Sequence, residues 1–149
     1  MRINFSIGKN KKAKIASTKL IKHYGQVELS EAEIIVAVGG DGAMLNALRE
    51  SISSNLPVFG LNRGNIGFLM NNFSEFDLIR RLEKAKEIIV HPLEMLVSDI
   101  ENNEYREMAV NEVSIFRSSH QSAMISIKID DTVRLNELTC DGIMVATPV

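Results

Sequence analysis

The chain of 149 residues is 45% hydrophobic and 24% charged, with a formal net charge of -2. These values are ordinary for a globular protein of one or two small domains. They argue against a dedicated nucleic-acid binder, and no apolar stretch reaches the about 18 residues of a membrane span. A polar N-terminus, one cysteine and three dispersed histidines predict a cytoplasmic protein with no disulfide, no protein-held metal site and no nucleic-acid or membrane partner.

The first half of the chain alternates strand and helix patterns. Strands are predicted over 3–7, 34–38 and 57–61, and helices over 11–23, 43–51 and 74–86. Ser74 and Asp77 form a capping-box pattern at the start of the third helix. The predicted buried faces are Ile15, Leu20 and Ile21 in the first helix and Leu78, Ile79 and Leu82 in the third. This order predicts a parallel sheet flanked by helices.

From residue 88 onward the helical period disappears. Strands are predicted over 88–90, 94–100, 105–116, 123–129, 133–139 and 142–147, with hairpin turns at 102–103 and 130–131. The fold class is therefore α/β followed by antiparallel β, with domains at 1–87 and 88–149 and a cleft between them for a ligand. Because the chain stops on an apolar run, we expect the β domain to be incomplete.

The most informative segment is the tetrapeptide Gly39-Gly40-Asp41-Gly42, called the GGDG turn below. It follows an apolar strand and precedes a helix, so backbone N–H groups at the helix's positive end can bind phosphate. Asp41 lies among three glycines, where its carboxylate can approach a hydroxyl and accept its proton. A plain strand-to-helix turn is the alternative interpretation of this segment.

Three further clusters are candidates for a site. Residues 60–69 (GLNRGNIGFL) combine glycines with Asn62, which offers donors and acceptors. Asn111 and Glu112 interrupt an apolar strand, so one of them must face inward or lie at a bend. Residues 138–148 (LTCDGIMVATP) place Asp141 at a turn before an apolar strand. A loop, a solvent-facing pair and a hairpin turn are the respective structural alternatives.

The order of these four clusters resembles bacterial NAD kinase from about residue 34 to residue 149. Lipid kinases share the glycine turn but lack both the 62–69 pattern and the DG-ATP segment at 138–148. Phosphofructokinases share the turn more distantly and carry different sequences after it. The resemblance implies an α/β domain, a β-sandwich-like domain and NAD between them. It also implies transfer of a phosphoryl group from ATP or polyphosphate to the 2′-hydroxyl of the adenosine ribose. A divalent metal, Mg²⁺, and a homo-oligomer, either dimer or tetramer, are implied as well.

By the same resemblance, Asp41 is the catalytic carboxylate, and Asp141 is a residue often supplied across a subunit interface. The implied NAD- and donor-binding residues are Gly40, Asp41, Gly42, Asn46, Asn62, Phe68, Asn111, Glu112, Thr139, Asp141 and Val149. Phe68 is expected to pack against the adenine or the loop core.

The chain also departs from the family pattern. It ends before the usual Gly-Ser-Thr-Ala-Tyr segment, and it has Ala43 and Asn46 where many members have Thr and Arg. A lipid or other small-molecule kinase is one alternative. A non-catalytic nucleotide-binding module is the other, if 149 residues is the native length.

Overall fold

The computed structural model describes residues 1–65 and 67–147. The chain divides into two compact units, Met1–Ile89 and Val90–Val149. The first unit is a parallel sheet with helices and the second consists of antiparallel strands, so the predicted order of α/β followed by β is confirmed. The domain boundary after residue 87 stays a prediction.

The first unit follows the predicted alternation of strands and helices. Its elements are β1 (Ile3–Ile7), α1 (Lys11–Tyr24), β2 (Ile34–Gly39), α2 (Asp41–Ser54), β3 (Val58–Asn62) and α3 (Leu78–Glu83). A short 3₁₀ turn at Leu29–Glu31, which we did not predict, precedes β2. The three strands pair in parallel in the order β1-β2-β3, with Val38 opposite Ile7 and Gly39 opposite Asn62.

The central strand β2 is buried on both faces, which explains its uninterrupted apolar sequence. Val36 and Val38 face a core that includes residues of α1 and α3. Ile35 and Ala37 face a second core with Ala47 of α2. The first unit therefore has three layers, with the sheet between α1 and α3 on one side and α2 on the other.

Helix α1 turns a face of mostly small side chains to the sheet. Its buried residues are Ala13, Ala16, Ser17 and Leu20. The prediction that Ile15 belongs to the buried face is wrong, because that side chain is 53% exposed. Alanine and serine let the helix approach the strands closely, and the i, i+3, i+4, i+7 spacing of this set excludes position 15. Leu20 is buried and Ile21 packs against the core, as predicted.

Helix α3 begins later than its sequence predicts, and the predicted capping box does not form. Ser74 Oγ accepts a hydrogen bond from the Phe76 amide at 3.2 Å, while Asp77 has a left-handed backbone with φ of 58° and makes no capping bond. The amide of Leu78 instead donates to the Tyr24 hydroxyl at 3.2 Å. This tertiary contact displaces the helix start to Leu78.

The predicted buried face of α3 is correct. Leu78 and Leu82 are buried, and Ile79 packs against the core.

The second unit contains three antiparallel pairs. Its strands are β4 (Leu93–Ser98), β5 (Glu104–Ala109), β6 (Glu112–Phe116), β7 (Ala123–Ile129), β8 (Thr132–Cys140) and β9 (Gly142–Ala146). β4 pairs with β5, β7 with β8, and β6 with β9, so the β7–β8 hairpin is inserted between the two strands of the third pair.

Two strand predictions in this half are wrong. Residues 88–90 form no strand, and Ile88 and Ile89 are exposed there because no neighbouring strand pairs with them. The strand predicted over 105–116 is two strands, which are separated by a bend at Val110 and Asn111.

Both predicted hairpin turns are present. Asp130 and Asp131 have φ values of 48° and 60°, the two consecutive positive values that a type I′ turn requires. At the other turn, Asn102 has φ of 63°. There, hydrogen bonds from the Asn103 side chain and backbone lower the pKa of the Asp99 carboxyl below its ordinary value.

None of the helices within the described residues combines the length and the apolar character that crossing a membrane requires.

We expect Asn10→Ala to lower the free energy of unfolding by about 1 kcal/mol, because Asn10 Oδ1 caps α1 by accepting from the Ala13 amide at 2.8 Å. Asn10→Asp keeps the acceptor and is the matched control. Urea unfolding followed by circular dichroism measures both variants. Equal stability of the alanine and aspartate variants would show that the cap contributes nothing.

Candidate functional site

The three parallel strands end at one edge of the sheet. Gly8 follows β1, Gly39 ends β2 and Asn62 ends β3. Because strands in a parallel sheet share a direction, these residues lie side by side along that edge, and the strand register pairs Gly39 with Asn62. The carboxyl edge of a parallel sheet is where ligands bind in open α/β proteins.

Because Gly39 has no side chain, α2 can lie directly against this edge. A Cβ atom on Gly39 would lie 2.6 Å from Ala43 Cβ and 3.3 Å from Gly8 Cα. Gly8 is confined less tightly, since its own Cβ would lie 3.1 Å from the Val38 oxygen and 3.4 Å from Ala43 Cβ. At Gly39, only glycine fits without movement of α2, so the first turn of that helix lies close against the ends of β1 and β2.

Helix α2 starts at Asp41, two residues earlier than predicted, and Gly40 is its N-cap residue. Within the described residues, no acceptor bonds the amides of Gly40, Asp41 or Gly42. Gly42 is exposed, and a Cβ there would have open space around it. Free amides at a helix N-terminus can bind the oxygens of a phosphate.

The carboxylate of Asp41 is held by two consecutive backbone amides of the β3–α3 loop. Asp41 Oδ2 accepts from the Phe68 amide and Oδ1 accepts from the Leu69 amide, each at 3.0 Å. Two charge-assisted bonds fix the plane of the carboxylate. Because an ionised carboxylate has about four acceptor positions, it retains capacity for a further partner.

The loop that supplies these amides is tied to the same edge. The Gly39 oxygen accepts from the amides of Arg63 and Gly64 at 2.6 and 3.0 Å. The base of the loop closes through a bond from the Asn62 amide to the Asn71 oxygen at 2.8 Å. Arg63 also lies over the Phe73 ring, with its guanidinium carbon 3.4 Å from the ring centroid.

The predicted site residues of the first unit are partly brought together. Gly40, Asp41, Asn62 and the backbone of Phe68 lie at the sheet edge, together with Gly42 in the first turn of α2. Asn46 lies five residues beyond Asp41, which puts it about 140° round the helix, and its side chain is exposed.

The expectation that Phe68 packs in the loop core is wrong, because its side chain is 88% exposed. The loop backbone turns the amide of Phe68 toward Asp41, and the ring is left outside. Contact of Phe68 with an adenine stays a prediction.

In the second unit, Asn111 and Glu112 lie at the bend where β6 begins, and both side chains are exposed. The bend is one of the two arrangements that their polarity predicted. Thr147 holds this bend, donating from its amide to the Asn111 oxygen at 2.8 Å and from its hydroxyl to the same oxygen at 3.2 Å.

Asp141 is the single residue between β8 and β9, and Thr139 lies near the end of β8. Arg117 fixes Asp141 in two ways: its amide donates to the Asp141 oxygen at 2.9 Å, and its Nε donates to Asp141 Oδ1 at 2.6 Å. In the β6–β9 register, Glu112 pairs with Ala146 and Phe116 with Gly142. Glu112 and Asp141 therefore lie at opposite ends of the pair, separated by roughly 16 Å along the strands.

Val149, the remaining predicted site residue, lies outside the described residues.

Sequence reasoning missed Gly8, Arg117 and Thr147 as residues that shape these regions. A glycine directly after β1, in the same position relative to its strand as Gly39 is to β2, was a signal for Gly8. Thr147 lies in the candidate segment 138–148, but nothing in that sequence predicted its bond to Asn111. Arg117 had no signal, because its partner is 24 residues away.

A parallel sheet with a glycine turn, free helix-terminal amides and a fixed carboxylate at its carboxyl edge is typical of phosphate-binding α/β proteins. The family model for the ATP-NAD kinase N-terminal domain matches residues 2–91. This chain therefore belongs to the ATP-NAD kinase family.

Curated relatives support the same assignment. The chain is 44% identical over 147 residues to the NAD kinase of Caulobacter vibrioides, an alignment that covers 99% of this chain and 56% of that protein. It is 44% identical to the NAD kinase of Brucella suis, covering 99% and 58%, and 43% identical to that of Rhizobium meliloti, covering 91% and 53%. The chain thus spans little more than half the length of these relatives.

We expect Gly39→Ala to lower the free energy of unfolding by about 1–3 kcal/mol, because its new Cβ would overlap Ala43 Cβ. Adding Ala43→Gly removes the overlapping atom, so the double variant should recover part of the loss. If the clash is absent, the two changes add, with Ala43→Gly costing about a further 1 kcal/mol as a helix substitution. Urea unfolding of the two single variants and the double variant distinguishes these outcomes.

Proposed function

We propose that the full-length gene product is a kinase that transfers a phosphoryl group from ATP or polyphosphate to the 2′-hydroxyl of the adenosine ribose of NAD, giving NADP. The observation that carries the proposal is the fixed carboxylate of Asp41, which lies beside the free amides of the GGDG turn. Membership of the ATP-NAD kinase family and the names of the relatives support the same acceptor.

Phosphoryl transfer depends mainly on positioning and charge neutralisation. In the proposed mechanism the amides of Gly40 and Gly42 hold donor phosphate oxygens, and Asp41 orients the ribose hydroxyl. The Asp41 carboxylate accepts the hydroxyl proton while the bond between the ribose oxygen and the terminal phosphorus of the donor forms. The phosphoanhydride bond to that phosphorus breaks, and ADP or a polyphosphate one unit shorter leaves. The bonds from Phe68 and Leu69 keep the carboxylate in one orientation, which reduces the reorganisation needed during the reaction.

The donor set of the site suits Mg²⁺ as the family's metal. Within the described residues no three His, Cys, Asp or Glu side chains lie together as a protein-only metal site. Mg²⁺ commonly binds through one or two carboxylates together with substrate phosphates and water. Asp41, at the turn proposed to hold those phosphates, is the residue that would contribute a ligand. Bound there, Mg²⁺ would neutralise charge on the donor phosphates.

Asn111, Glu112, Thr139 and Asp141 are proposed to bind NAD, as are Phe68 and Val149. Because Glu112 and Asp141 lie at opposite ends of the β6–β9 pair, they would contact different parts of one NAD molecule or NAD molecules in different subunits. The second alternative is consistent with the homo-oligomer, a dimer or tetramer, that the family resemblance implies.

Apolar side chains on the second unit are exposed in this chain, which spans little more than half the length of its relatives. Ile115 and Phe116 of β6 and Met144 and Val145 of β9 are all more than half exposed. Such side chains favour burial against another surface. A β-sandwich-like arrangement of this unit, and a cytoplasmic location, remain parts of the proposal.

Two alternatives make different predictions. A lipid kinase of the related superfamily would phosphorylate a lipid hydroxyl and leave NAD unchanged; family membership favours NAD as the acceptor. A non-catalytic module would bind NAD without forming NADP. Incubation of the full-length gene product with NAD, Mg²⁺ and either ATP or polyphosphate, followed by quantification of NADP, separates the proposed function from both alternatives. If no NADP forms, calorimetric titration with NAD separates the binding module, which binds NAD, from the lipid kinase, which does not.

We expect Asp41→Asn to lower turnover by about 10²-fold or more, since a general base typically contributes about 10²–10⁴-fold. The amide also replaces one acceptor oxygen with a donor, so one of the two loop bonds is lost. Steady-state NADP formation measures turnover, and thermal unfolding verifies the fold. Asp77→Asn, an exposed position on the same unit, is the matched control. Turnover equal to that of the control would show that Asp41 is not the base.

We expect Glu112→Ala to weaken NAD binding by about 1–3 kcal/mol, the usual cost of removing a charged hydrogen-bond partner. Isothermal titration calorimetry with NAD measures the change. Glu107→Ala, on the exposed strand β5, is the matched control and should leave affinity unchanged. If the two variants bind NAD equally well, Glu112 only faces solvent.

A further inference from the structure

The side chain of Asn62 lies beneath the loop that holds Asp41. Asn62 Oδ1 accepts a hydrogen bond from the Gly64 amide at 2.9 Å, within a turn whose amides also bond the Gly39 oxygen. Asn62 is the last residue of β3, so its position is set by the sheet register. The first residues of the loop are therefore fastened both to the sheet edge and to this side chain.

Further along, the loop passes directly over the amide group of Asn62. A Cβ on Gly67 would lie 2.9 Å from Asn62 Nδ2, 3.0 Å from Asn62 Cγ and 3.0 Å from Met70 Cβ. A side chain at position 67 would displace Asn62 or Met70, so the backbone at Gly67 rests against Asn62. The next two amides in the chain are those of Phe68 and Leu69, which bond the Asp41 oxygens.

We propose that Asn62 and Gly67 are positioning residues for the Asp41 carboxylate, acting through the backbone amides of Phe68 and Leu69. Asn62 supports the loop from below, and Gly67 lets the chain come close enough for both amides to reach one carboxylate. This inference rests on the proposed kinase function of Asp41. It differs from the family-based expectation for Asn62, in which that side chain binds the nucleotide directly.

The two roles for Asn62 predict different kinetics. If Asn62 positions Asp41, Asn62→Ala lowers kcat by about 10- to 100-fold, the order of loss that a small misplacement of a reacting group causes. The dissociation constant for NAD, measured by calorimetry, stays unchanged. If Asn62 binds NAD directly, affinity falls instead and kcat at saturating NAD is retained, which would overturn the proposal.

Matched variants separate positioning from a general loss of structure. Asn72→Ala removes an exposed asparagine side chain from the same loop, keeps the Asn72 oxygen that accepts from Arg81, and should retain wild-type kcat. Asn62→Asp keeps an acceptor for the Gly64 amide, so its kcat should be close to the wild-type value and well above that of Asn62→Ala. Gly67→Ala should lower kcat in the wild-type background but less in Asn62→Ala, because truncation removes two of the three atoms that its Cβ would meet and leaves only Met70 Cβ. Equal losses in both backgrounds would contradict the proposal.

Amide hydrogen exchange tests the same contact without relying on activity. In the full-length gene product, exchange at Phe68 and Leu69 should be faster in Asn62→Ala than in Asn72→Ala, with unfolding temperatures measured for both. Unchanged exchange at these amides overturns the positioning role even if kcat falls. A wild-type protein that forms no NADP would overturn the kinase function instead, and the exchange experiment would still decide whether Asn62 and Gly67 position Asp41.

Discussion

The end of β2 is the constraint on which the rest of the site depends. The missing side chain of Gly39 lets Ala43 approach, and this contact sets where α2 begins. The carbonyl of the same residue accepts two amides from the β3–α3 loop, and these bonds set where that loop begins. Helix α2 carries the Asp41 carboxylate and the loop carries the amides that hold it. One backbone position therefore fixes both halves of the contact.

This arrangement suits a reaction in which the protein does little covalent chemistry. In phosphoryl transfer the protein mostly aligns the groups and neutralises charge. A carboxylate held through both oxygens loses little further freedom when a hydroxyl arrives, so less free energy is spent on ordering it during the reaction. The exposed bonds from Phe68 and Leu69 contribute modestly to stability, because water competes for the same groups. Their main effect is on orientation.

The two units differ in how they bury apolar surface. The first encloses two cores, one on each face of its sheet. In the second, Val110 is the one described residue that is buried, and apolar side chains on several strands face outward, with Phe116 72% exposed. A two-stranded antiparallel pair is marginally stable in water by itself. The stability of the second unit therefore depends on what covers those faces.

Much of the fold follows from local sequence patterns. A parallel sheet with a turn at its carboxyl edge is predicted by three features. These are the apolar sequence of β2, the glycines that follow it and the helical spacing of apolar residues in α1. The paired aspartates at 130–131 predict a hairpin. The patterns fail where a distant residue decides the local structure. Tyr24 displaces the start of α3 from Ser74, the small face of α1 excludes Ile15, and residues 88–90 find no partner strand.

By itself, the sequence determined which residues are candidates for the site: Asp41 among glycines, Asn62 after a strand, and Asn111 with Glu112 in an apolar segment. Only the tertiary structure decided what holds them. The Asp41 carboxylate is bound by amides 27 and 28 residues further along the chain. Every residue except proline has a backbone N–H, so the residue types of the donors do not predict such a contact. It becomes visible only once the sheet edge has brought the helix and the loop together.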